Sequence, residues 1–64
     1  MASFESLADD IAAIEVRVSE AIFDAVRSQL RGGDEAAKEV EKRLAKVRRS
    51  LQKAEFLLRR QEPD

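Results

Sequence analysis

Apolar residues recur three and four positions apart along almost the whole chain, which is the spacing of one face of an α-helix. In the first half, the series comprises Phe4, Leu7, Ile11, Ile14, Val18, Ala21 and Ala25. In the second half, it comprises Ala37, Val40, Leu44, Val47, Leu51, Ala54 and Leu58. Each series fills the a and d positions of a heptad repeat, so the pattern predicts two long helices, about residues 3–31 and 35–61.

A single short break separates the two periodic segments. Gly32 and Gly33 form the expected turn, because glycine has no Cβ to clash in the left-handed conformation that ends a helix. Ser3 or Ser6 is expected to cap the first helix and Asp34 the second. A link this short places two long helices side by side and antiparallel. We therefore predict an all-α, coiled-coil-like helical hairpin as a single domain of 64 residues.

Helix 1 carries a second apolar row beside the first, and helix 2 adds a smaller apolar spot on its polar side. One narrow apolar face cannot cover a wide one, and small domains without disulfides or metals often gain stability by oligomerisation. We therefore expect a homodimer, most simply two hairpins that form a four-helix bundle about a two-fold axis. The residues expected at this oligomer or partner interface are Val16, Ile22, Phe23, Val26, Leu30, Phe56 and Leu57.

One charged residue, Glu15, interrupts the apolar side of helix 1. Buried carboxylates usually pair, and one polar contact in a helical seam often fixes register or oligomer state. Arg48 flanks the seam of helix 2 at about the opposing level, so we interpret Glu15 and Arg48 as a register pair. The alternative is a carboxyl with a raised pKa that transfers protons or binds a metal.

Composition removes most catalytic chemistry from consideration. The chain has no His and no Cys, so nucleophilic triads with a His base, thiolate zinc sites and Glu-x-x-His di-metal sites are excluded. Neither a P-loop nor a dinucleotide fingerprint surrounds the two glycines. We expect no catalytic, cofactor-binding or metal-ligating residue, no cofactor and no enzymatic activity.

The longest uninterrupted apolar stretch is the four residues 11–14. A membrane-spanning helix needs about 20 predominantly apolar residues. The N-terminus also lacks the charged-then-apolar order of a secretory signal. We therefore expect a cytoplasmic protein without a membrane span.

Charge is unevenly placed, although the net charge is only −1. Residues 1–31 carry three basic and six acidic groups, whereas residues 42–60 carry eight basic groups and one acidic group. On the outer face of helix 2, basic side chains recur at three- and four-residue steps, as contact with phosphates requires. This candidate anion-binding or nucleic-acid-binding face comprises Lys42, Lys46, Arg49 and Lys53. The alternative is that acidic helix 1 neutralises the row, within the same hairpin or in a neighbouring one.

Two functions from different classes follow from these features. The leading one is a self-associating, non-enzymatic module for protein–protein interaction or assembly, which uses the apolar rows. The alternative is a small nucleic-acid-binding regulator that uses the basic face of helix 2. The pI of about 5.5 favours the first function, because an acidic chain repels a polyanion from most directions of approach.

Overall fold

The computed structural model describes residues 3–32 and 35–60. Two helices account for nearly all of them: α1 is Phe4–Gly32 and α2 is Glu35–Arg59. The helices pack against each other along their lengths, so the predicted all-α hairpin is confirmed. The hairpin is a thin rod that measures 52 × 19 × 13 Å.

Ser3 caps α1. Its Oγ accepts a hydrogen bond from the Ser6 N–H at 3.0 Å, and its carbonyl oxygen accepts one from the N–H four residues further on at 3.1 Å. The first bond satisfies an N–H that has no backbone partner in the first turn of the helix, and the second is the first i→i−4 backbone bond of α1. Of the two predicted caps, Ser3 therefore has this role. Gly33 in the predicted turn and Asp34 as the second predicted cap lie outside the described residues.

The two helices meet through small side chains. Ala8, Ala25 and Ala37 are the buried residues of the described chain, and no large side chain in those segments is fully enclosed. An alanine side chain ends at Cβ, so the helix axes can approach closely where alanines face each other. It also removes little apolar area from water. The hairpin therefore has a thin seam rather than a core of large residues.

The side of α1 that meets α2 is rotated from the predicted one. Ile11, Val18 and Ala25 face the seam as expected, whereas Leu7 and Ile14 remain 39% and 47% exposed. The buried and half-buried residues that follow this side of α1 at three- and four-residue steps are Ala8, Ile11, Glu15, Val18, Ile22, Ala25 and Gln29, and Ala12, Ser19 and Val26 are half-buried beside them. The rotation places Ala8 in the seam near one end of the hairpin and Ala25 near the other. It also lets Glu15 and Gln29 reach partners on α2.

Polar contacts near both ends of the hairpin fix the alignment of its helices. Near the turn, Gln29 Nε2 donates to Glu41 Oε1 at 2.6 Å. At the other end, the Arg59 guanidinium donates to Glu5 Oε2 at 3.1 Å and to Asp9 Oδ1 at 3.0 Å. A guanidinium presents its donors in a rigid fork. Arg59 therefore ties the last turn of α2 to two successive turns of α1.

A larger side chain at a close contact tests the thin seam. Ala8→Leu forces the helices apart or displaces the new side chain, so we expect the free energy of unfolding to fall by about 1–3 kcal/mol. Ala13→Leu is the matched control, because Ala13 is exposed on the same helix, and its effect should stay within about 0.5 kcal/mol. Urea unfolding at one protein concentration measures both. Equal losses in the two variants contradict this description of the seam.

Candidate interaction surfaces

One broad side of the hairpin is apolar on both helices. A groove of about 420 Å³ runs between the helices there. Its lining residues are Ala21, Asp24, Ala25, Ser28, Ala36, Ala37, Val40 and Leu44. Positions seven apart share one side of a helix, so Leu7 and Ile14 extend the α1 half of this surface and Val47 extends the α2 half.

We term this surface the heptad face and define it by Leu7, Ile14, Ala21, Val40 and Val47. Its four large side chains are between 39% and 48% exposed. Heptad positions of this kind normally meet a partner helix. In the hairpin, these residues of both helices instead lie exposed on one side.

The opposite broad side is more polar, and we term it the Phe23 face. Its groove has a volume of about 650 Å³. The lining residues are Ala12, Glu15, Val16, Ser19, Glu20, Phe23, Arg48 and Gln52. Arg48 Nη1 donates to Ser19 Oγ across the groove at 3.4 Å. The Arg27 guanidinium carbon lies 5.4 Å from the centroid of the Phe23 ring, a distance typical of a cation–π contact.

The residues of α1 predicted as an interface do not share one environment. Val16, Phe23 and Leu30 are exposed and lie seven apart, on the side of the Phe23 face. Ile22 and Val26 are half-buried at the seam with α2. The more apolar exposed surface is the heptad face, whose residues the sequence pattern assigns to packing within the hairpin.

Glu15 lies in the seam and interacts with two residues of α2. Its carboxyl forms a hydrogen bond with the carboxyl of Glu55. The charge of Arg48 lowers the pKa of Glu15, although Arg48 donates to Ser19 and forms no ion pair with Glu15 in the described structure. The register role of Glu15 and Arg48 stays a prediction, and Glu55 is a further partner of Glu15 that the sequence does not indicate.

The contact between the two carboxyls shifts their pKa values in opposite directions. The hydrogen bond with Glu55, partial burial and the negative charge of Glu55 raise the pKa of Glu15, although the charges of Arg48 and Arg59 oppose them. The hydrogen bond from Glu15, and a second from Arg59 Nε at 2.7 Å, lower the pKa of Glu55. Within the described residues, no donor reaches the buried Glu15 Oε2. The opposite directions of the two pKa shifts make Glu15 the donor and Glu55 the acceptor when the pair carries one proton.

Arg59 is the centre of this charged cluster. Hydrogen bonds to Glu55 and Asp9 raise the pKa of Arg59, which therefore stays charged. The sequence alone assigns no partner to Glu5, Asp9 or Arg59. The signal that could have identified the cluster is the antiparallel alignment itself, because it brings the last turn of α2 beside the first turns of α1.

The predicted basic residues form a row along the outer side of α2. Lys42, Lys46, Arg49 and Lys53 are exposed, and none of them is part of an ion pair in the described structure. The first three line one groove together with Arg43, Ala45 and the acidic residue Glu39. We term these four residues the basic row. Phe56, which is 62% exposed, lies three positions after Lys53, and Leu57, also exposed, follows it.

Two further properties of residues 3–32 and 35–60 bear on function. Neither helix is apolar over enough of its length to cross a membrane. No group of three or more acidic residues in these ranges is arranged to hold a metal ion. The two broad faces, the carboxyl pair and the basic row are therefore the features from which a function is argued.

The shared proton predicts a pH dependence. A raised pKa for Glu15 gives stability that is complete below about pH 4.5, its ordinary value, and is lost as pH rises through the folded-state pKa. The lowered pKa of Glu55 gives stability that is present above this value and is lost as pH falls through the folded-state pKa. Together the pair favours mildly acidic pH, and on the neutral side Glu15 destabilises the hairpin.

Glu15→Gln tests this pair, because the amide keeps a donor for Glu55 and cannot ionise. We expect the variant to be more stable than the parent at neutral pH and to lose the decline in stability above about pH 4.5. Glu20→Gln, at an exposed position of the same helix, is the control and should keep the parent profile. Urea unfolding across this pH range measures the effect. A Glu15→Gln variant that is less stable at neutral pH contradicts the shared proton.

Comparison with known proteins does not assign the chain to a family. No protein-family model, no curated protein and no solved structure matches the chain. Its function therefore has to be argued from the residues that form the surfaces described above.

Proposed function

We propose that this hairpin is a non-enzymatic assembly module and that its partner is a second copy of the same chain. Two hairpins pair through their heptad faces and form a four-helix bundle about a two-fold axis. The observation that carries the proposal is the contrast between the buried and the exposed residues. In the described chain the buried residues are three alanines, while ten large apolar side chains remain at least 39% exposed.

The exposed area is large enough for such an interface. The accessible surface is 5288 Å², whereas a compact monomer of 7.2 kDa exposes about 4,100 Å². The difference of about 1,200 Å² exceeds the roughly 800 Å² that each partner buries in a standard protein–protein interface. Pairing two copies brings the exposed surface per chain toward that of an ordinary folded protein.

The heptad face suits this contact better than the Phe23 face does. Six of the eight residues that line its groove are apolar, compared with three of eight on the Phe23 face. Both helices contribute large aliphatic side chains to it, as each helix of a bundle does toward a common core. A two-fold axis makes the surface its own partner, so one apolar face per chain is sufficient.

Charge favours a second copy and sets its orientation. Residues 1–31, which include almost all of α1, have a net charge of −3, and residues 42–60 of α2 have a net charge of +3 when the four basic residues on the outer side, Lys42, Lys46, Arg49 and Lys53, are left out. A bundle in which α1 of one copy lies beside α2 of the other places opposite charges next to each other. The arrangement with α2 beside α2 places like charges together and is disfavoured.

A charged residue at the centre of the heptad face tests the proposal. Ile14→Glu and Val47→Glu each place a carboxylate where two copies meet, so both should dissociate the dimer. Sedimentation equilibrium should give about twice 7.2 kDa for the parent and 7.2 kDa for either variant at the same concentration. Circular dichroism shows how much helix each monomer keeps.

Phe23→Glu is the matched control, because Phe23 is a large exposed apolar residue on the opposite side. This variant should retain the parent mass. A parent chain that sediments as a monomer at all concentrations overturns the proposal and leaves the heptad face for a different protein. A Phe23→Glu variant that dissociates while Val47→Glu does not places the contact on the Phe23 face and contradicts the arrangement proposed above.

A further inference from the structure

The basic row keeps its charge because acidic α1 does not neutralise it. Glu5 and Asp9 bind Arg59, Glu15 pairs with Glu55, and Asp24 pairs with Arg27 at 3.1 Å. Most carboxylates of α1 are thus engaged away from the row. The four cations of the row have no ion-pair partner in residues 3–32 and 35–60.

The row has a regular geometry along the helix. Its members are four, three and four positions apart, so they lie on one side of α2. From Lys42 to Lys53, the rise of about 1.5 Å per residue gives a span of about 16 Å. α2 is a single unbroken helix over this range. The charges are therefore held in a line on a rigid element rather than on a mobile tail.

An aromatic side chain completes the row. Phe56 lies seven positions after Arg49 and three after Lys53, so it shares their side of α2. Its side chain is 62% exposed, although one helix packs directly against α2. An exposed aromatic ring does not by itself stabilise a polar helix face. An aromatic ring beside a line of cations is the combination with which proteins bind single-stranded nucleic acid.

We propose that the basic row and Phe56 form a binding site for single-stranded nucleic acid. Lys42, Lys46, Arg49 and Lys53 contact successive phosphates, and a base stacks on the Phe56 ring. Duplex nucleic acid presents phosphates but no free base face, so it can use the cations but not the ring. A membrane surface requires a broad apolar stripe next to the cations, and the only large apolar side chains adjoining this row are Phe56 and Leu57.

The site is independent of the proposed self-association. The basic row lies on the outer side of α2, away from the seam with α1, and shares no residue with the heptad face. Loss of nucleic-acid binding and loss of the dimer are therefore separate outcomes. A dimer presents two rows, which raises apparent affinity for strands long enough to reach both.

Salt dependence and charge reversal test the phosphate contacts. The probe is a fluorescein-labelled dT oligonucleotide of about 20 nucleotides. Its fluorescence anisotropy measures binding to the full protein chain. Four phosphate contacts on a single strand predict a loss of affinity of roughly 50-fold between about 50 and 200 mM salt. Lys46→Glu with Arg49→Glu should abolish binding and leave the sedimenting mass unchanged.

Arg17→Glu with Arg31→Glu is the matched control. It changes the net charge by the same amount on α1, and it should weaken binding only slightly because neither residue belongs to the row. Circular dichroism confirms that both double variants keep their helices. Equal losses in the two pairs show a general charge effect and overturn the site.

Phe56 decides whether a base stacks. Phe56→Ala should weaken binding to the dT strand by about 5- to 150-fold, the range that corresponds to a single base–aromatic stack. Phe56→Tyr, which keeps a ring, should restore most of the affinity. Binding to a duplex of the same length should be insensitive to both changes.

Three results overturn the proposal. The first is the absence of salt-sensitive binding to the oligonucleotide. The second is a Phe56→Ala variant that binds the single strand as tightly as the parent does. The third is a chain that binds vesicles with about 30% anionic lipid but does not bind the oligonucleotide. That result identifies a membrane surface as the ligand of the same cations.

Discussion

The small amount of side chain that the seam of α1 and α2 buries is the constraint on which the rest of the structure depends. Of the described residues only Ala8, Ala25 and Ala37 are buried, while the large seam residues Ile11, Val18 and Ile22 are half-buried. The hairpin consequently has little buried apolar area of its own. Its apolar surface lies on two outward faces, and the more apolar of these, the heptad face, draws on both helices. The proposed self-association would bury that surface.

The sequence predicts the two helices and their packing as a hairpin well, because 3.6-residue periodicity and the capping residue Ser3 are local signals. It predicts the rotation of α1 poorly. A heptad count selects Leu7 and Ile14 for the seam, but the count ignores size, and the alanine next to Leu7 permits a closer approach. Where an apolar face is wide, periodicity alone does not say which part of it meets the partner helix.

The charged contacts show a second limit of sequence reasoning. Glu15 is recognisable as a polar residue in an apolar stripe, but its hydrogen bond with Glu55 is not, because that contact depends on the rotation of α1. Arg59 is not recognisable as a hub, since its partners are about 50 residues away in sequence. These contacts also determine which charges remain available. They engage acidic groups of α1 at one end of the hairpin and leave the basic row of α2 without a partner among the described residues.

The central claim is that folding of this chain is coupled to its association with a second copy. The most direct measurement is the midpoint of thermal unfolding as a function of protein concentration, followed by circular dichroism. A dimer that dissociates as it unfolds gains stability by mass action, so a 100-fold rise in concentration should raise the midpoint by about 10 °C. A midpoint that does not change over that range would show that the hairpin folds alone and would contradict the account.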